Sequence, residues 1–331
     1  MAEKKKVLFS GMQATGSLHV GNYLGALRNW LTLSDEYECF YSVVDLHSIT
    51  IRQDPAVLRK SSRDVLMLYI AAGLDPDKCC IYYQSHVPAH TELAWILGCF
   101  TYIGELNRMS QFKDKTAKNL SNINSGLHTY PVLQAADILL FQADAVPVGR
   151  DQVQHLELCR DIAERFNMIY GDVFTIPAAW LGKTAAKVMS LQDPGKKMSK
   201  SDENVNACIF VRDERDVIIK KCKRAVTDSL MQVKYDKENQ PGVSNLIDIY
   251  SACTGKNTDE IEAEFAGGGY KELKIAVGET VADTFEPIKK RFAELESDKA
   301  YVDGIIKENA ARAALVANQT LQTVKEKIGF P

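Results

Sequence analysis

The feature that most narrows the fold is an alternation that begins at Val7. The apolar run Val7, Leu8, Phe9 and Ser10 reads as a short strand, residues 11–17 as a flexible glycine loop, and Tyr23, Leu24, Ala26, Leu27, Trp30 and Leu31 recur at helical spacing. A second strand is expected over 38–44, an amphipathic helix over 55–72 and a third strand over 80–84. Strands that alternate with helices are joined by right-handed crossovers and lie parallel. The expected class is α/β, a doubly wound parallel sheet of Rossmann type. Its first turn joins a strand to a helix N-terminus, where free N–H groups and the helix dipole suit a phosphate. The glycines match neither the dinucleotide fingerprint nor the P-loop.

Composition bounds the rest. The 331 residues are 46% hydrophobic and 25% charged, as in a globular chain of one large or two ordinary domains. A net charge of −3 gives no global attraction to nucleic acid, so an RNA partner has to meet a local basic patch. No apolar run reaches bilayer length, and Val7-Leu8-Phe9 is too short for a signal-peptide core. The eight cysteines form no C-x-x-C pair, which reads as reduced thiols in a cytoplasmic protein with no membrane contact. Cys79 and Cys80 are expected on opposite faces of a buried strand. After Ser201 the pattern becomes almost wholly helical. Domains are therefore expected over 1–205 and 206–331, with a helical stretch rich in aromatics over 88–112 (Trp95, Phe100, Tyr102).

Several stretches carry chemistry. Lys196, Lys197 and Lys200, with Ser199 and Ser201, follow Asp193-Pro194-Gly195, which suits a loop better than a helix or strand. It is either a solvated basic turn or a loop that closes over a polyanion with lysine charges and serine hydroxyls. His47 follows the second strand, where open α/β sheets bind ligands, and is either structural or a ligand contact. Gln134, Asp137, Ile138 and Phe141 share a helical face, with Pro131 expected in the first turn. That face either exposes its polar groups to water or lines a mostly apolar pocket. Residues 144–148 read as extended, followed by a helix over 153–167 that Asp151 would cap. Lys220, Lys221, Lys223 and Arg224 close a helix as a solvated basic face or as a phosphate contact.

Lys197-Met198-Ser199-Lys200-Ser201 resembles the KMSKS loop of class I aminoacyl-tRNA synthetases. His19-Val20-Gly21-Asn22 is similar to their HIGH element, in the form ending Gly-Asn found in tryptophanyl-tRNA synthetases. Met109 to Lys115 and residues 130–166 resemble bacterial-type members of that family, so the likeness spans essentially the whole chain. It implies a tryptophan–tRNA ligase whose substrates are L-tryptophan, ATP with Mg2+ held mainly by the nucleotide phosphates, and tRNA(Trp). It also implies a homodimer built on an insertion over about 88–123, and an anticodon-binding domain over 206–331 whose last helix is a candidate for packing back on the catalytic domain.

Residue by residue, the likeness implies that Lys115, Lys197 and Lys200 hold the phosphates. Gln13, Gly21 and Asn22 would contact ATP, with Met198, Ser199 and Ser201 in the closing loop and Gly149 and Asp151 near the ribose. Phe9, His47, Tyr130, Gln134, Asp137, Val146, Val148 and Gln152 would form the tryptophan side. No protein metal site is implied. Gln134 stands where many bacterial members have Met, and Arg150 where they often have Glu. Gln at the first position also occurs in tyrosyl enzymes, which keeps that specificity as the alternative. A catalytically silent, tRNA-binding relative would be marked by lost phosphate-binding lysines, and all three are present.

Overall fold

The computed structural model describes residues 5–14, 17–112, 123–149, 152–181, 187–200 and 202–331. Among the described residues five strands, β1 (Val7–Met12), β2 (Glu38–Val43), β3 (Cys80–Tyr83), β4 (Ala145–Pro147) and β5 (Ala178–Trp180), form one sheet in the order β3-β2-β1-β4-β5. Every pairing is parallel. The expected sheet is present, with β5 added. That strand has three residues and no buried side chain, so it left no pattern in the sequence.

Alternation along the strands splits the core in two. Leu8, Tyr41, Val43 and Ile81 pack on one face, and Phe9, Phe40, Tyr82 and Val146 on the other. Cys79 and Cys80 fall on opposite sides, as expected, and all eight cysteines are free thiols. Among the described residues no helix is long and apolar enough to cross a membrane.

A helical turn (Val20–Asn22) and a π-helical turn (Tyr23–Leu27) lead into α1 (Arg28–Glu36). Next comes α2 (Pro55–Ala71), whose start is fixed by Pro55 and by Asp54 Oδ1, which accepts the N–H groups of Ala56 and Val57. The stretch over 88–112 is not one helix: α3 (Ala89–Gly98) and α4 (Ile103–Asn107) are separated by a turn. Pro131 does not start its helix. In α5 (Ser125–Leu139) the Asn124 side chain accepts the Leu127 N–H at 2.9 Å, so the helix begins earlier and carries Pro131 inside it. The cap position of α6 (Val153–Tyr170) is Gln152, which makes no side-chain capping bond, and Asp151 lies outside the described residues. The later helices are α7 (Arg215–Lys223), α8 (Pro241–Thr254), α9 (Thr258–Glu264), α10 (Tyr270–Ser297) and α11 (Lys299–Ile328). Residues 225–240, expected to be helical, carry no helix.

The helical half shares its core with the sheet. Val243, Ile247, Val277 and Phe285 join the cluster that contains Leu8 and Val43. The last helix, α11, returns to the open edge of β3. There Asn309 Oδ1 accepts the Ile81 N–H at 3.0 Å, taking the place of a neighbouring strand, and Arg312 donates to the Pro76 carbonyl at 2.8 Å. Ala313, Ala317, Leu321 and Val324 of the same helix complete the second core. An uncovered edge strand is a template for aggregation, and a buried N–H without an acceptor is costly. Replacing Asn309 by Leu should therefore lower stability by about 1–3 kcal/mol, while Asn309→Asp, which keeps an acceptor, should lose less. Denaturant titration of both variants measures the difference.

Candidate active site

The order β2-β1-β4 reverses the direction in which the sheet grows, so the C-terminal ends of β1 and β4 are the switch point at which open α/β sheets bind ligands. The exposed Gln13 follows β1, and the half-buried Val148 and exposed Gly149 follow β4. All three expected residues therefore lie at this switch point.

On one side stands the His19 turn. His19 Nδ1 accepts the Gly21 N–H at 3.0 Å, and Asn22 Oδ1 accepts the His19 N–H at 3.1 Å, a reciprocal cap. A Cβ at Gly21 would stand 2.9 Å from the His19 ring, so the position needs glycine if the ring is to keep its place. Burial lowers the His19 pKa to about 4, and the charges of Lys200 and Lys197 push the same way. The ring is thus neutral at pH 7, with Nδ1 unprotonated as the acceptor and the proton on Nε2.

Both lysines belong to the lysine loop read from the sequence. Met198 anchors the loop: its side chain is buried and its N–H donates to Val188 O at 3.1 Å. Lys197 bridges Met189, which the Asn245 amide holds by both N–H and carbonyl. Lys196 pairs with Asp193 at 2.7 Å on the surface. Lys200 differs, since partial burial brings its pKa down to about 8. A partly desolvated ammonium is restored by a nearby anion. Ser199 is exposed, while Lys115, Asp151 and Ser201, and the Arg150 departure, lie outside the described residues.

Opposite lies a buried carboxylate. Asp137, on α5, is 1% exposed. Its Oδ1 accepts from Gln84 Nε2 at 2.6 Å and from His90 Nδ1 at 2.7 Å, and its Oδ2 from His47 Nε2 at 2.8 Å. Burial alone would raise the Asp137 pKa, but the two histidines outweigh it and hold the carboxyl well below the usual range. Three donors leave one acceptor position, on Oδ2. Tyr130 donates to Gln111 Oε1 at 3.2 Å and accepts from His155 Nε2 at 2.8 Å. Gln134 and Gln152 are half-buried, and Val146 is buried on the same side of the sheet. Phe9 is buried too, stacked on Phe141 with ring centroids 5.6 Å apart.

Gln84, His90 and His155 were not singled out from sequence. Gln84 carried a signal, as a polar residue ending a strand just as His47 follows one. His90 and His155 are lone histidines on helices and carried none. Lys221, read as part of a basic face, is buried and bonded to Asp213 at 2.6 Å.

The family model for class I tRNA synthetases (W and Y) matches residues 1–286. A tryptophan–tRNA ligase of Clostridium tetani is 54% identical over 330 residues, covering 100% of this chain and 97% of the relative. A tryptophanyl-tRNA synthetase structure from Mycoplasma pneumoniae superposes with TM-score 0.91 at 34% identity, covering 99% of each chain. One from Campylobacter jejuni, complexed with ADP and tryptophan, gives TM-score 0.83 at 34% identity over 98% of this chain and 100% of that one.

The His19 pKa sets a pH dependence. Taking 6.5 unfolded and about 4 folded, the unfolded chain binds the extra proton between those values. The contribution is full above pH 6.5 and fades as pH falls through 4. Between pH 7 and pH 5 the wild type should lose about 2 kcal/mol more stability than His19→Gln. Urea titrations at both pH values measure it.

Proposed function

The chain belongs to the class I tRNA synthetases of the tryptophan and tyrosine group, and on that premise we propose that it is a tryptophan–tRNA ligase. The ionised carboxylate of L-tryptophan attacks the α-phosphate of ATP and expels pyrophosphate. Tryptophanyl-adenylate then esterifies the terminal ribose of tRNA(Trp) and releases AMP. The observation that supports this reading most is that the His19 turn pairs with residues 209–211, whose neighbour Ala207 is bonded to the segment that holds Met198 of the lysine loop.

The nucleophile is already an anion, so the first step needs position and charge stabilisation, not a general base. In this reading Gln13, Gly21 and Asn22 contact ATP, and Gly149 and Asp151 approach its ribose. Lys115, Lys197 and Lys200 hold the phosphates, which bring their Mg2+ with them. The loop from Met198 to Ser201 closes over the nucleotide. Tyr130, Gln134, Val146, Val148 and Gln152 shape the tryptophan side, with Phe9 and His47 behind them. The open position on Asp137 Oδ2 takes the indole N–H, the only side-chain donor tryptophan has. Tyrosine also donates, so its exclusion rests on pocket shape. Residues 1–205 form the catalytic domain and residues 206–331 the anticodon-binding domain of a cytoplasmic enzyme.

Pyrophosphate exchange with each amino acid in turn tests this. Tryptophan should support exchange, tyrosine and phenylalanine should not, and Lys200→Ala should cut the tryptophan-dependent rate by about 10²–10³ with tryptophan affinity retained. Exchange driven best by tyrosine, or an unchanged rate in Lys200→Ala, would overturn the assignment.

We also propose a homodimer. Trp95 is 77% exposed, Ile103 71% and Met168 82%, with Tyr102 and Ile169 also exposed. Arg165 of α6 pairs with Glu105 of α4 at 2.6 Å and lies over the Tyr102 ring, which brings α6 beside α4. Large apolar side chains left exposed on neighbouring helices call for a partner, and a two-fold copy is the commonest one. Light scattering should give a dimer for the wild type and a monomer for a Trp95→Glu, Ile103→Glu double variant.

A further inference from the structure

Three of the four cations that end α7 face solvent: Lys220, Lys223 and Arg224. Lys221 turns inward and is 6% exposed. Its Nζ donates to the Cys208 carbonyl at 2.8 Å and to Asp213 Oδ2 at 2.6 Å, and it stands 5.1 Å from the centroid of the Phe210 ring. Asp213 Oδ2 also accepts the Phe210 N–H at 2.9 Å. One ammonium and one carboxylate therefore fix both ends of the short segment from Cys208 to Asp213.

That segment is the strap between the two halves of the site. On one side Ile209 O accepts the Val20 N–H, and the Val211 N–H donates to Leu18 O, each at 2.9 Å, with His19 paired antiparallel to Phe210. At its start, Ala207 O accepts the Leu191 N–H at 3.0 Å. Leu191 closes the segment whose Val188 holds Met198 of the lysine loop. Ile209 and Val211 are buried alternately with Phe210, so a slip of one residue would turn the wrong side chains inward. An apolar residue in place of a buried ion pair often serves stability equally well, whereas a paired charge can fix register.

We propose that Lys221 is a positioning residue for the nucleotide: by pinning the strap to α7 it sets the register that aligns the His19 turn with the lysine loop. The proposal rests on the ligase reading and adds to it a residue that touches no substrate. Loss of the pin should act on ATP, which both halves contact, and spare tryptophan, whose side includes Phe9 and Val146 of the second core, while Ile209 and Val211 belong to the first.

The test uses the full chain with Lys221→Met, Lys221→Arg and Asp213→Asn, at a temperature where circular dichroism shows each folded. In tryptophan-dependent pyrophosphate exchange, Lys221→Met should lower kcat/KM for ATP at least about tenfold while KM for tryptophan stays within about twofold. Asp213→Asn, which keeps an acceptor, should lose less, and Lys221→Arg should recover part of the activity. Unchanged ATP parameters, or equal losses for ATP and tryptophan, would overturn the proposal. If Lys221→Met does not fold, the same split is read from Asp213→Asn. If the wild type exchanges with no amino acid, the ligase reading fails. The rise in melting temperature caused by ATP alone then decides for the strap: a smaller rise in Lys221→Met supports it, and an equal rise overturns it.

Discussion

The pairing of Leu18 and Val20 with Ile209 and Val211 is the contact on which the site depends. Two backbone bonds stabilise a fold by only about 1 kcal/mol each. What makes the contact durable is that all four residues are buried in the core that also holds Leu8 and Val43. Burial supplies the free energy and the hydrogen bonds supply the register. The His19 turn therefore meets a segment far away in sequence, and the lysine loop is carried with it. Gly21 shows how closely the parts fit, since a single added carbon would press against the His19 ring.

A second constraint acts at the opposite pole. Burying a carboxylate costs several kcal/mol unless its lone pairs are used. Asp137 meets that cost with donors from three other elements: His47 after β2, Gln84 after β3 and His90 on α3. One anion thereby ties four segments together. The site is polarised as a result, with lysines on the side of the His19 turn and a single open acceptor position at Asp137 among apolar residues. A substrate pair that is polyanionic at one end and presents one N–H at the other matches that polarity.

Elements with a periodic pattern were legible in the sequence, and so were motifs whose chemistry is local. The first three strands, the helix over 55–72 and the loop around Met198 stand where the residues place them. Strand β5 was not legible, because three residues without a buried side chain carry no period. Pro131 misled because a cap at Asn124 outweighs one missing N–H. His90 escaped because its role lies in a contact with a residue of α5, and no local pattern encodes such a contact. Which residues of the site reach a ligand is likewise a matter of the bound state.

Charge was the least legible property, and the lysines show why. Lys196 is braced by Asp193 at the surface, where an ion pair contributes little. Lys221 is spent inside the fold on Asp213 and a carbonyl. Lys200 has lost water without gaining a carboxylate among the described residues, and its pKa falls accordingly to about 8. In sequence all three are the same letter in a basic run. What separates them is the balance between desolvation and compensation: pairing outside, pairing inside, or desolvation alone. The third state is unfavourable in isolation and becomes favourable when an anion arrives. A cation held in that state is therefore the one that an anion would relieve, whereas Lys196 and Lys221 are charges that a carboxylate has already met.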